Sequence, residues 1–142
     1  MQITDTPQPI IIGCGFLGRY LASLLLSYQQ PPICLVQSNA SHANLIQDNF
    51  QAITHDLDHA SNCIDLNLTD SQVYYLAPPS STDEKDHRID HFLALCKHNP
   101  PNKIVYISTS GVYGDCQGDW VTEDHPVAPI SIRAKRRVYA EH

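Results

Sequence analysis

Three consecutive isoleucines, Ile10-Ile11-Ile12, run straight into Gly13-x-Gly15-x-x-Gly18, and a helical pattern opens at once with Leu17, Leu21, Leu24 and Leu25. A short unbroken apolar run marks a strand buried on both faces, as in a parallel sheet. Three glycines at this spacing, between such a strand and a helix, leave few folds open. The first allows a tight turn, the second lets the backbone approach a pyrophosphate, and the third lets helix and strand pack closely. The free N–H groups of the helix N-terminus then face anionic charge.

The rest of the chain repeats the alternation. Ile33–Val36, Gln51–His55, Val73–Leu76 and Lys103–Ser108 read as further strands. Helical patterns fall over Ala40–Asn49, Glu84–His98 and from Ile130 to His142, and 56–68 reads as loop. The first helix is expected to run from Leu17 to Tyr28 and to stop at Pro31-Pro32. Strands alternating with helices require parallel pairing through right-handed crossovers. The expected fold is a doubly wound α/β sheet of the Rossmann type, five strands in the order 3-2-1-4-5. With 142 residues the chain is expected to form one domain, 1–142.

Composition narrows the partners. The net charge is −6, and no Lys or Arg occurs between Arg19 and Lys85. A nucleic-acid groove needs a basic stripe, and Arg133–Arg137 supplies only one helix turn of charge. No apolar run approaches the ~20 residues that span a bilayer. Five cysteines, with no Cys-x-x-Cys pair, suit a reduced intracellular protein, so a cytoplasmic location is expected. His87 and His91 share a helix face, but no third ligand accompanies them, and no metal site is expected.

The end of the second strand decides which dinucleotide fits. An Asp or Glu there commonly holds the ribose 2′-hydroxyl. This chain has Gln37-Ser38-Asn39 instead, and no acid occurs between Asp5 and Asp48. Without that repulsion a 2′-phosphate is tolerated, so NADP is expected slightly ahead of NAD. Ser38, Asn39 and His42 are the candidate hydrogen-bond partners.

Several further segments carry a family resemblance: Asp56-Leu57, Leu76-Ala77-Pro78-Pro79, and Tyr106-Ile107-Ser108-Thr109-Ser110-Gly111-Val112-Tyr113-Gly114, followed by Glu123, Pro126 and Pro129. With the glycine turn, they resemble the extended short-chain dehydrogenase/reductases, the sugar-nucleotide epimerase and dehydratase group, and within it the atypical YeeZ-like proteins. The resemblance implies a pyrophosphate held at Gly13, Gly15, Phe16, Leu17 and Gly18. It implies that Asp56 meets the adenine amino group, that Leu57 packs on the ring, and that Ala77 and Pro78 line the ribose and nicotinamide side. Thr109 stands at the family's catalytic Ser or Thr. The family's general acid/base is a Tyr, followed after four residues by a Lys and after eight by a Glu. Counting back from Glu141 places Arg137 at the Lys and Arg133 at the Tyr; a second register gives Lys135 and Ser131. Neither supplies a Tyr, and an arginine stays protonated near neutral pH.

Two functions from different classes follow. The first is an atypical NAD(P)-dependent oxidoreductase or epimerase acting on a polar sugar nucleotide, with Thr109 polarising the reacting oxygen and Arg133 or Arg137 supplying charge. The second is a nucleotide-binding or sensing module without turnover. S-adenosylmethionine is disfavoured, because that class also places an acid after strand two. No substrate lobe follows the last helix, so the chain is expected to be the N-terminal part of a longer architecture or to have lost that half. Exposed apolar surface is expected near strand five, with self-association as one way to cover it.

Overall fold

The structure is a computed structural model, and it describes residues 6–59, 64 and 66–142. Five parallel strands form one sheet: β1 (Gln8–Ile12), β2 (Ile33–Val36), β3 (Gln51–Thr54), β4 (Ser71–Tyr75) and β5 (Lys103–Tyr106), in the order β3-β2-β1-β4-β5. This is the expected doubly wound order.

β1 is central, and its isoleucines divide between two cores. Ile10 and Ile12 join Val73, Tyr75, Ile89 and Phe92 on one face of the sheet. Ile11 joins Cys34, Val36, Ala22, Leu25 and Leu45 on the other. Alternate residues of a strand point to opposite faces, so an unbroken apolar run is what a doubly covered strand needs. The first face is covered by α3 (His87–Cys96), the second by α1 (Phe16–Ser27) and α2 (Asn39–Gln47). The last helix, α4 (Ile132–Glu141), lies against a 3₁₀ turn at Ser110–Tyr113.

Helix ends differ from expectation for local reasons. α1 closes before the prolines: Gln29 takes a left-handed φ of 59°, and the Gln30 N–H donates to the Leu25 carbonyl at 3.0 Å. α2 closes alike, with Asn49 at φ 63° and the Phe50 N–H donating to Leu45. Such closures satisfy carbonyls left over at a helix end. α3 starts three residues later than expected because Asp86 caps it, accepting from the Arg88 N–H at 3.2 Å. Asp86 is fully buried and also accepts from the Ser80 N–H at 3.1 Å. α4 starts after Ser131, whose hydroxyl accepts from the Ala134 N–H at 3.1 Å.

Cys14, Cys34, Cys96 and Cys116 are free thiols; Cys63 and most of the expected 56–68 loop's centre lie outside the described residues. Near β5, Ile104 and Ile107 are each about two-fifths exposed, the apolar surface expected there. No described helix is long and apolar enough to cross a membrane.

Ile11 has no exposure and sits in the core with Cys34, Val36, Ala22, Leu25 and Leu45. Ile11→Ala is therefore expected to lower the unfolding free energy by about 2–5 kcal/mol. Urea denaturation checks this, with Ile104→Ala, at the half-open edge, expected to cost clearly less.

Candidate functional site

The carboxyl ends of the strands share one edge of the sheet. β1 and β4 are neighbours there, yet their helices depart to opposite faces, which leaves a crevice at the switch point. The glycine turn forms its floor. Gly13 has φ +89°, and a Cβ there would meet the Ala77 backbone at 2.6 Å. The first glycine thus serves the contact between β1 and β4 as well as the turn. A Cβ on Gly18 would meet the Gly13 carbonyl at 3.0 Å and the Cys14 sulfur at 3.3 Å, so the third glycine permits close packing of helix on turn. A Cβ on Gly15 would meet nothing within 4 Å. The second glycine therefore faces open space.

That space is a cavity of about 280 Å³ lined by Gly13 to Gly18, with Val36, Gln37, Ser41, Leu76, Pro78 and Ile107 around them. Phe16, 94% exposed, and Leu17 stand at its mouth. α1 has no side-chain cap and no acidic residue in its first turn. Its first N–H groups and the positive end of its dipole are thus left for an anion.

Beside it lies a second, narrower slot of about 100 Å³, walled by Ile12, Leu35, Leu57, Ala77 and Pro78, with Gln37, His55 and Arg88 at its polar side. Burial holds the His55 imidazole below its ordinary pKa, so the ring is neutral at pH 7. Across the top runs a hydrogen-bonded chain. The Gln37 amide donates to Asp56 and to Asp58, both at 3.0 Å. Asp58 accepts two bonds from Arg88, from Nε at 2.5 Å and from Nη2 at 2.7 Å. Arg88 Nη1 donates to the Pro78 carbonyl at 3.1 Å. The Arg88 guanidinium holds the Asp58 carboxyl below the usual carboxylate range. Asp56 is also lowered, chiefly by the Asp58 N–H that it accepts.

The residues named for a cofactor thus fall into two groups. Gly13, Gly15, Phe16, Leu17, Gly18, Leu57, Ala77 and Pro78 line the crevice or the slot, and Asp56 joins the chain above it. Ser38 and Asn39 line neither. Ser38 caps α2, its hydroxyl accepting from the Ser41 N–H at 3.2 Å, and Asn39 is the first residue of that helix. His42 is tied to β3, its Nε2 at 3.1 Å from the Ala52 carbonyl oxygen. Sequence reasoning missed Gln37, Ser41 and above all Asp58 and Arg88. The last two are 30 residues apart, and only the fold brings them to the end of β2.

Of the candidate catalytic residues, Thr109 and Arg133 are exposed and Arg137 is buried. The Thr109 hydroxyl caps the 3₁₀ turn, accepting from the Gly111 N–H at 3.3 Å, and it stays exposed beside the first turn of α4. Arg133 is exposed on that turn. Arg137 turns the other way. It is buried, donates to the Tyr106 hydroxyl at 2.9 Å, and its charge lies 5.3 Å from the Tyr106 ring centre. In the second register, Ser131 caps α4 and Lys135 donates to Glu84 at 2.6 Å.

The NAD dependent epimerase/dehydratase family model matches residues 10–142. The chain belongs to that family. Comparison with curated proteins gave no match. Among solved structures, a point mutant of UDP-glucuronic acid 4-epimerase from Bacillus cereus, in complex with UDP-4-deoxy-4-fluoro-glucuronic acid and NAD, is 25% identical with a TM-score of 0.72. The match covers 94% of this chain and 50% of that one. UDP-N-acetylglucosamine 4-epimerase from the same organism is 23% identical, with a TM-score of 0.71 over 94% of this chain and 50% of that one. The UDP-Glc/GlcNAc 4-epimerase of Campylobacter jejuni is 17% identical, with a TM-score of 0.72 over 94% and 47%. The last two likenesses show the fold. The chain spans about half the length of the structures it matches.

Two outcomes follow from this geometry. Gly15→Val leaves the fold intact, because its Cβ enters open space at an ordinary φ of −83°; Gly13→Ala lowers the melting temperature clearly, because its Cβ collides with the Ala77 backbone. Thermal melts of both variants check this. The lowered pKa of Asp58 also has a sign. Its pairing with Arg88 stabilises the fold above about pH 4, the ordinary aspartate value, and the contribution is lost as pH falls through the lower folded value. The stability difference between wild type and Asp58→Asn, followed from pH 7 to pH 2, is expected to be flat down to about pH 4 and to vanish below.

Proposed function

We propose that this chain is the NAD-binding part of an epimerase/dehydratase-family protein whose second ligand is a sugar nucleotide or a similarly polar molecule. The observation that carries the reading is the open space at Gly15 beside the uncapped start of α1. A pyrophosphate there would accept from free N–H groups and would face no carboxylate within the turn. The flat slot between Leu35, Leu57 and Pro78 would take the adenine, with Asp56 at its edge.

NAD is proposed ahead of NADP, which revises the expectation drawn from the residues after β2. That expectation considered only residues contiguous with the strand. Asp56 and Asp58 stand within hydrogen-bond reach of Gln37, and with Asp58 paired to Arg88 the end of β2 keeps the Asp56 carboxylate as its uncompensated charge. Asp56 would repel a 2′-phosphate, and Asp58 balances the one cation that would attract it. The Bacillus cereus neighbour holding NAD agrees with this.

For chemistry, Thr109 is proposed to hydrogen-bond the reacting oxygen, with Arg133 supplying charge beside it, and no tyrosine serves as the proton carrier at the position of Arg133. Such a site belongs with the atypical, YeeZ-like members. One observation favours binding without turnover instead: the Arg137 guanidinium, at the position of the family's lysine, is spent on Tyr106.

Calorimetric titration tests the binding claim. NAD is expected to bind at least tenfold more tightly than NADP, a difference of about 1.4 kcal/mol, and Gly15→Val is expected to abolish binding of both while keeping its fold. Retained NAD affinity in that variant contradicts the proposed cradle. Reduction of bound NAD at 340 nm on adding UDP-glucose or UDP-glucuronic acid, lost in Thr109→Ala, would favour turnover over sensing.

A further inference from the structure

Arg88 is the cation that lines the narrower slot, and its bonding holds the guanidinium in place there. Each of its three nitrogens already donates: Nε and Nη2 to the Asp58 carboxylate, Nη1 to the Pro78 carbonyl. The side chain is 17% exposed. A guanidinium recognises phosphate or carboxylate through its N–H edge, in a bidentate fork. Here that fork is filled by Asp58. Three of its five N–H groups are thus engaged and its charge is balanced by Asp58, while the plane of the group remains a surface that an aromatic face recognises. Ile12, Leu35 and Leu57 line the same slot with aliphatic surface. A slot lined by a charge-compensated guanidinium and aliphatic side chains fits a flat, electron-rich ring and offers little to a phosphate.

We infer that Arg88, clamped by Asp58 and the Pro78 carbonyl, is the plane against which the base of the nucleotide stacks, and that the clamp keeps Arg88 from serving as a 2′-phosphate receptor. The inference rests on the reading of the crevice as a nucleotide site and adds the residue pair that sets its selectivity. Asp58 is a positioning residue in this arrangement. It fixes the orientation of Arg88 and neutralises its charge, with Gln37 holding the carboxylate from the other side at 3.0 Å. Removing the carboxylate frees the fork at the same edge of the slot where a 2′-phosphate would arrive. One residue would thereby convert the site from refusing that group to accepting it.

The test uses ADP, ribose 5-diphosphate (the same ligand without its base) and 2′-phospho-ADP as probes, titrated by NMR against the whole chain. Arg88→Ala is expected to weaken ADP roughly tenfold, the size of a desolvated cation–π contact, and to leave ribose 5-diphosphate unchanged. Asp58→Asn is expected to retain ADP and to gain affinity for 2′-phospho-ADP, and Asp58→Asn combined with Arg88→Ala to lose that gain. Unchanged ADP affinity in Arg88→Ala overturns the inference. So does an equal loss of ADP and ribose 5-diphosphate, which would mark Arg88 as merely structural. Wild-type protein that binds neither ADP nor NAD overturns the nucleotide site itself, a different failure from the other two.

Discussion

β1 is held between β2 and β4 with both faces covered, and it ends where Gly13 meets the Ala77 backbone. Most of the structure follows from that arrangement. Burial on two faces demands consecutive apolar residues, and Ile10-Ile11-Ile12 supplies them, dividing between two cores on opposite sides of the sheet. Because α1 leaves toward one face and the chain after β4 toward the other, the end of β1 is bordered by a crevice rather than by packed side chains. The approach of Gly13 to Ala77 brings the two halves of the sheet together at that point, with no room for a Cβ. Core and site are therefore two consequences of one strand's position.

The crevice has a polar character that no single segment announces. Its floor is backbone N–H at an uncapped helix start, which suits an anion. Its side slot is lined by aliphatic side chains and by Arg88, whose charge is compensated by Asp58 within hydrogen-bond distance. Negative charge is absent from the turn and gathered at the end of β2, where Gln37 links Asp56 to Asp58. On the proposed reading, that distribution separates a place for a pyrophosphate from a place that rejects a further phosphate.

Local signals carried the sheet order, the helices and the glycine turn, because each depends on residues adjacent in the chain: apolar runs, helical spacing, and glycines between them. The boundaries were less readable. Asp86 is one of several acids before α3, and nothing adjacent to it in the chain marks it as the fully buried cap that delays the helix. The surroundings of the end of β2 were hidden for a similar reason. Ser38 and Asn39 follow β2 in sequence, but the helix start consumes them, while Asp58 and Arg88 arrive from distant segments. Arg137 shows the limit of positional analogy. A count from Glu141 sets it at the lysine of the family, but its side chain packs on Tyr106. Spacing along a helix specifies a face; which neighbour the side chain takes depends on residues 31 positions away.

The central claim is that the turn from Gly13 to Gly18 is where NAD binds. Two-dimensional ¹⁵N NMR of the whole chain with NAD added tests it most directly. The account predicts shifts at the amides of Gly13, Gly15, Leu17 and Gly18, with a second group at Gln37, Leu57 and Ala77. Silent glycine amides under saturating NAD, or shifts confined to α4 and the loop before it, would contradict it.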